Sequence, residues 1–229
     1  MKPRMTTTLR PFDIIGFDLD GTLIDTSPDL ADALNHALAV IGRGPLPVAD
    51  VQKMVGRGAK VMLTRALTAT GDATPEVIER LFPILIDHYA AHIADRSMPY
   101  PGVMEALDGL RAQGYRLAVC TNKLEHLARL VLDALGMTDR FVAIVGGDTT
   151  PTLKPDPAPL IAMIEAAGGG RTLFVGDSDN DIDAAKAAGV PSVAVSFGYV
   201  PGDPYALGAD RVIRNYDELV PLVNIFPLP

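Results

Sequence analysis

Residues 13–22, DIIGFDLDGT, decide the fold that we predict for this chain. The apolar run that opens the stretch has the length and composition of a buried strand, and the run ends in Asp18 and Asp20. Side chains alternate along a strand, so both carboxylates point the same way, and Gly21 permits a sharp exit. Asp and Gly are also ordinary turn residues, but two aspartates at the end of a buried strand are costly unless a cation joins them. The stretch therefore favours a strand that delivers an acidic site.

Short apolar runs and helical patterns alternate along the rest of the chain. Further strands are predicted at 115–121, 141–146, 172–177 and 192–196, with 211–213 as a short sixth. Helices are predicted near 102–113, 124–136, 157–168, 180–189 and 216–224. Such alternation predicts an α/β fold, in which helices cover both faces of a parallel sheet.

One connection is far longer than the usual loop between a strand and the next helix. Residues 26–95 contain helical patterns, the first of which begins at Ser27 and Pro28, with others near 47–55, 58–70 and 75–94. We interpret residues 26–95 as an inserted helical cap domain. Residues 1–25 and 96–229 then form the catalytic core.

A second acidic strand end and two weaker signals accompany the first. The stretch 175–181, VGDSDND, also brings carboxylates to the carboxyl end of a buried run, where open α/β sheets bind ligands. Asp18 and Asp177 supply the hard oxygen ligands that Mg²⁺ prefers. Thr121 and Asn122 close the second strand, and Lys154 follows the third. Taken alone, the Thr121-Asn122 pair is more typical of a helix N-cap than of a binding site. A lone Lys in a loop, such as Lys154, is normally a solvated charge.

These four pieces, in this order, resemble the motifs of the haloacid dehalogenase superfamily: a DxDGT strand end, a Ser or Thr after the second strand, a Lys, and a GDxxxD strand end. The resemblance covers the chain from Asp13 to about Leu222. It implies a phosphoryl-transfer enzyme that uses Mg²⁺. The implied roles are Asp18 as nucleophile, Asp20 as general acid and base, Thr121, Asn122 and Lys154 as phosphoryl binders, and Asp177 and Asp181 with Asp18 and the Asp20 carbonyl around the metal.

The positions of these residues also constrain the sheet. Asp18 and Asp177 must reach one ion, and Thr121 must reach the same phosphate, so strand one has to lie between strands two and four. This is the switch point of a doubly wound, Rossmann-like sheet, where the crevice lies. We therefore expect the strand order 5-4-1-2-3.

Within the superfamily, the chain is most similar to the bacterial phosphoglycolate phosphatase family. The matching stretches are the cap that follows Asp25, residues 55–58 (VGRG), residues 146–155 and residues 176–189. This likeness implies hydrolysis of 2-phosphoglycolate through an aspartyl-phosphate. Arg57 stands where that family often has a smaller polar residue. Two interpretations of Arg57 are open: its guanidinium binds a substrate carboxylate, or it is a solvated surface charge.

Other functions remain as alternatives at this point. A β-phosphoglucomutase-like enzyme would return the phosphoryl group to a sugar, and a related phosphatase would act on a nucleotide or on pyrophosphate. A third alternative, from another class, is a binding module that has lost catalysis. The acid at position 20 favours enzymes that expel an alkoxide, because the family's dehalogenases and phosphonate hydrolases lack it.

Composition excludes several classes of partner. The net charge of −8 argues against a general nucleic-acid binder, and no apolar stretch reaches the roughly 20 residues of a membrane helix. The single cysteine, Cys120, forbids an internal disulfide. We expect a cytoplasmic monomer or homodimer that binds a small phosphate ester.

Overall fold

The computed structural model describes residues 10–199 and 202–227 as a parallel sheet, a short antiparallel ribbon and a set of helices. The strands are β1 (Ile14–Phe17), β2 (Ile24–Asp25), β3 (Met98–Pro99), β4 (Arg116–Cys120), β5 (Ala143–Val145), β6 (Thr172–Gly176), β7 (Ser192–Val195) and β8 (Arg211–Ile213). The α-helices are α1 (Ser27–Ala39), α2 (Val48–Gln52), α3 (Ala59–Thr70), α4 (Pro75–Ala91), α5 (Val103–Ala112), α6 (Glu125–Ala134), α7 (Ala158–Ala166), α8 (Asp179–Ala187) and α9 (Leu219–Ile225). Short 3-10 helices cover Thr138–Arg140, Pro204–Leu207 and Tyr216–Glu218.

The main sheet has six strands in the order β5-β4-β1-β6-β7-β8, and every pair in it is parallel. The predicted α/β class and the central place of strand one are confirmed. The order differs in detail from the expected five-stranded one, because β8 adds an edge strand beside β7. The strand β8 is only three residues long and partly exposed, so its sequence pattern is weak.

The central strand is buried on both faces. All four residues of β1 are inaccessible to solvent, and they alternate between two apolar clusters. Ile15 and Phe17 belong to one cluster, whereas Ile14 belongs to the other. This arrangement explains the unbroken apolar run in the sequence, since a strand covered by helices on both faces needs no polar side.

Four helices, α1 to α4, lie between β2 and β3. Leu34 of α1 and Leu85 of α4 are completely buried in the same apolar cluster, and the ribbon pairs Ile24 with Pro99, which joins the two ends of the insertion. The helix predicted at 47–55 is shorter than expected, because a turn follows that contains Gly56 at φ +101°. The division into a core and a separate cap domain stays a prediction. None of the described helices is both long and apolar enough to cross a membrane.

Candidate active site

The carboxyl ends of three neighbouring strands bring the predicted site residues together. Asp18 follows β1, Thr121 follows β4 and Asp177 follows β6, and all three side chains are buried. The sheet hydrogen bonding continues through the first two, since the amide of Asp18 donates to Val175 (2.9 Å) and that of Thr121 to Val145 (3.0 Å). The backbone of Asp18 and Thr121 is therefore held by the sheet, whereas the Asp177 amide bonds to the Asp181 carboxylate.

Three buried carboxylates form a compact cluster at this edge. One oxygen from each of Asp18, Asp177 and Asp181 lies within 4.8 Å of the other two. Asp181 is in the first turn of α8, where its Oδ2 accepts hydrogen bonds from the Ser178 amide (3.0 Å) and hydroxyl (2.7 Å) and from the Asp177 amide (3.2 Å). One oxygen of Asp181 is thus occupied by this capping box.

Lys154 is the cation of this cluster. Its ammonium, in a residue only 3% exposed, donates to Asp18 Oδ1 (2.8 Å), Asp181 Oδ1 (2.6 Å) and the Cys120 carbonyl (2.6 Å). Burial disfavours the charge, but the two carboxylates outweigh it and raise the pKa of Lys154 above its ordinary value. Lys154 therefore stays protonated and faces the proposed nucleophile.

The single positive charge of Lys154 does not neutralise the negative charge that three buried carboxylates would carry. Burial raises the pKa of Asp18 to about 7, with Asp181 adding to the rise and Lys154 opposing it. Burial and the neighbouring carboxylates also raise the pKa of Asp177 well above its ordinary value. Hard oxygen donors that share excess negative charge suit a small divalent cation. The donor set therefore fits a metal site.

Asp20 lies at the same edge and has two close partners. Its Oδ1 accepts hydrogen bonds from the Thr26 hydroxyl (2.6 Å) and from the ammonium of Lys123 (2.6 Å). Thr26 is the cap residue of α1, but its side chain bonds to Asp20 and makes no capping hydrogen bond to the helix. Lys123 was missed by the sequence analysis. The sequence feature that points to Lys123 as a site residue is its position directly after the Thr121-Asn122 pair.

Tyr199 is a second residue that the sequence analysis missed. Its amide donates to Asp177 Oδ2 (2.8 Å), and its hydroxyl donates to Asp25 (2.8 Å). The same hydroxyl accepts hydrogen bonds from the amides of Thr26 (2.6 Å) and Ser27 (2.9 Å). Tyr199 thus ties the start of α1 to the carboxylate cluster, and no motif around position 199 indicates this contact.

The side chain of Asn122 has a structural task. It donates to the carbonyls of Gly56 and Lys154 and accepts from the Lys154 amide, each at 2.9 Å. These bonds tie the loop that carries Lys154 to the turn before α3. The expected phosphoryl contact of residue 122 is through its main-chain amide, which the side-chain bonds leave unaffected.

Arg57 lies at the mouth of the crevice. Its guanidinium pairs with Asp179 Oδ2 (2.9 Å), and its side chain is 48% exposed. The flanking glycines have φ angles of +101° and +85°, which only glycine adopts easily, as the expected tight turn requires. Together with Asp20 and Asp177, Arg57 lines a cavity of about 190 Å³. The guanidinium is therefore near the site but already has a carboxylate partner.

A family model described as haloacid dehalogenase-like hydrolase matches residues 15–195. This chain belongs to that family. The strand ends that carry Asp18, Thr121 and Asp177 all fall within the matched range.

Individual proteins similar to this chain have more specific names than the family. A phosphoglycolate phosphatase from Caulobacter vibrioides is 46% identical over 226 residues, which cover 94% of each chain. One from Mesorhizobium japonicum is 47% identical over 90% of this chain and 92% of its own. A crystal structure of a predicted phosphoglycolate phosphatase from Haemophilus somnus superimposes with a TM-score of 0.88, at 33% identity, over 93% of this chain and 99% of that one.

Proposed function

We propose that this chain is a Mg²⁺-dependent phosphatase that hydrolyses 2-phosphoglycolate through an aspartyl-phosphate on Asp18. The observation that carries the proposal is the meeting of Asp18, Asp177 and Lys154 at one sheet edge, with Asp20 beside them. The names of the relatives support the choice of substrate.

The metal would be held by Asp18 and Asp177, with the Asp20 carbonyl as the family resemblance implies. Asp181 is assigned to the same site, where its contacts with Ser178 and Lys154 orient it. Bound Mg²⁺ supplies charge neutralisation, which lowers the repulsion between an anionic nucleophile and an anionic ester.

The chain's own residues then perform two transfers. Lys154, the Thr121 hydroxyl and the Asn122 amide bind the phosphoryl oxygens. A carboxylate oxygen of Asp18 attacks phosphorus as the bond to the leaving oxygen breaks, and Asp20 gives that oxygen its proton. In the second transfer Asp20 takes a proton from water, which attacks phosphorus and releases phosphate and the free Asp18 carboxylate.

A small cavity adjoins the proposed nucleophile. Its volume is about 40 Å³, and it is lined by Asp18, Asp20 and Thr121. At about 10–15 Å³ for each water it holds roughly three water-sized positions, which is room for a two-carbon alcohol. We further propose a cytoplasmic enzyme, monomeric or homodimeric, that acts on a free metabolite.

A substrate panel tests this proposal. Phosphate release is measured from 2-phosphoglycolate, ethyl phosphate, a nucleoside monophosphate and pyrophosphate, and isomerisation of β-glucose 1-phosphate is measured in parallel. We expect 2-phosphoglycolate to have the highest kcat/KM, with activity lost in EDTA and restored by Mg²⁺. Asp18→Asn should lower turnover by about a thousandfold or more, because an amide is a poor nucleophile.

A matched substitution controls for the loss of a carboxylate. Asp183→Asn makes the same change on the exposed side of α8, where Asp183 contacts only Lys186 at 3.8 Å among the described residues, and should retain full activity. Preferred hydrolysis of the nucleotide or of pyrophosphate would contradict the proposed substrate. Turnover without Mg²⁺, or in Asp18→Asn, would contradict the proposed mechanism.

A further inference from the structure

The cavity above Asp18 has an apolar wall with two polar groups in it. Most of its apolar side chains come from the helical insertion and from α6, among them Leu30, Met62, Leu85, Ile86 and Leu127. Besides the residues assigned above to phosphoryl transfer, its polar side chains are Tyr89 of α4 and Lys123. The assigned mechanism uses neither of these two groups on the substrate.

Tyr89 has a buried hydroxyl without a hydrogen-bond partner. The residue is 1% exposed, and its hydroxyl forms no hydrogen bond of good geometry with any described residue, although the Lys123 ammonium lies nearby. Burial raises the pKa of Tyr89 to about 12, so the hydroxyl keeps its proton. A buried polar group left unsatisfied is costly and calls for a partner. A ligand in the cavity provides one.

Lys123 places a positive charge beside this hydroxyl. Its ammonium lies 4.7 Å from the centre of the Tyr89 ring and 2.6 Å from Asp20 Oδ1. Burial opposes the charge, but Asp20 outweighs it and raises the pKa of Lys123 above its ordinary value. An ammonium has three N–H donors. Asp20 accepts from one of them, and the Tyr89 hydroxyl is a second neighbouring acceptor among the described residues. At least one donor therefore remains for a ligand.

We propose that the Tyr89 hydroxyl and the Lys123 ammonium bind the carboxylate of the substrate's leaving group, an inference that rests on the proposed function. One carboxylate oxygen accepts from each donor, and the leucine and methionine side chains cover the methylene. An ester that lacks the carboxylate leaves both buried donors unpaired, which is the condition for strong discrimination between similar substrates. Arg57, which already pairs with Asp179, is then not the carboxylate ligand.

Tyr89→Phe tests the subsite, because it removes only the unpartnered hydroxyl. We expect kcat/KM for 2-phosphoglycolate to fall about tenfold or more, as for a lost hydrogen bond to a charged group. The kcat/KM for ethyl phosphate should change less than about twofold, since that ester has no group for the hydroxyl to bind. The Tm should equal or exceed that of the wild type. Tyr115→Phe makes the same change at a buried tyrosine beside Arg10, outside the site, and should affect neither substrate.

Turnover and binding separate a failure of the subsite from a failure of the proposed function. If wild type prefers 2-phosphoglycolate and Tyr89→Phe keeps the full preference, the subsite is wrong and the proposed substrate stands. Equal losses on both esters, or loss of the preference in Arg57→Ala but not in Tyr89→Phe, also overturn the subsite. A wild type with no preference overturns both proposals.

An inactive wild type would refute the proposed function and still leave the subsite testable. In that case calorimetry with 2-phosphoglycolate, in the presence of Mg²⁺, measures binding to wild type and to Tyr89→Phe. A Kd raised about tenfold by the substitution supports the subsite. An equal Kd, or no binding to wild type, overturns it.

Discussion

The ammonium of Lys123 lies 2.6 Å from Oδ1 of Asp20, and both side chains are buried. The Thr26 hydroxyl donates to the same oxygen. Asp20 is therefore held from two directions, by the loop after β4 and by the residue that caps α1. A carboxylate anchored in this way presents its other oxygen in one direction, which is what proton transfer to a leaving group requires.

Lys123→Met should impair the proton transfer assigned to Asp20. We expect kcat for ethyl phosphate to fall about tenfold or more, because a charged hydrogen bond that orients the acid is lost. The kcat for an aryl phosphate should fall less, since its leaving group needs no proton. Steady-state kinetics on the two esters, neither of which has a carboxylate, measure this effect apart from carboxylate binding. Lys186→Met is the matched control at an exposed lysine, and equal losses on both esters would contradict a role through Asp20.

Asp20→Ala should separate the two halves of the reaction. With an aryl phosphate the first transfer survives, because the leaving group departs unprotonated, whereas hydrolysis of the intermediate lacks its base. Acid-quenched samples are then expected to carry phosphate covalently on the protein, and further substitution of Asp18 by Asn should abolish the label. Asp183→Ala, at an exposed site on α8, should not accumulate label. If Asp20→Ala hydrolyses alkyl phosphates at the wild-type rate, Asp20 is not the general acid and base.

Asp18→Asn should stabilise the metal-free protein in a pH-dependent way. The pKa of Asp18 rises from 3.8 to about 7 on folding, so the folded state binds a proton that the unfolded state releases, and stability falls as the pH rises between these values. Asparagine does not titrate, and Lys154 keeps its bonds to Asp181 and Cys120.

Thermal unfolding in EDTA measures this effect. The Tm advantage of Asp18→Asn over wild type should be small near pH 4, grow up to about pH 7 and then level off. Mg²⁺ should reduce this Tm advantage at high pH, because it stabilises the wild type more than it stabilises Asp18→Asn. Asp183→Asn serves as control, and a difference in Tm that is independent of pH would contradict the assigned shift.

Arg57→Ala tests substrate binding at the mouth of the crevice. The guanidinium pairs with a half-exposed carboxylate, so we expect KM to rise only about two- to fivefold, the scale of an exposed ion pair. The rise should be similar for 2-phosphoglycolate and ethyl phosphate, with kcat little changed, because the charge attracts the phosphate common to both. Arg80→Ala, at an exposed position of α4, is the control. A tenfold loss confined to 2-phosphoglycolate would instead support the carboxylate-binding interpretation of Arg57.

Much of the fold and part of the site could be predicted from local patterns. The ends of β1, β4 and β6 lie where the apolar runs stop, because strands buried on both faces need continuous apolar sequence. Asp18 and Asp177 therefore fall at one edge of a parallel sheet. The short edge strand β8 coincides with the sixth strand predicted at 211–213. The ribbon of β2 and β3 is too short for such a pattern, and it forms through pairing of residues far apart in the sequence.

The sequence by itself determined the α/β class, the strand ends and the set of acidic and basic residues there, because these depend on the hydrophobic period and on residue chemistry. Only the tertiary structure decided which groups surround Asp20 and the cavity. Lys123, Tyr89 and Tyr199 come from separate elements, and no local pattern records their contacts. Lys123 and Tyr89 lie side by side because the helical insertion packs over the carboxyl edge of the sheet, and Tyr199 reaches the start of that insertion at Thr26. Such long-range packing depends on the whole chain at once.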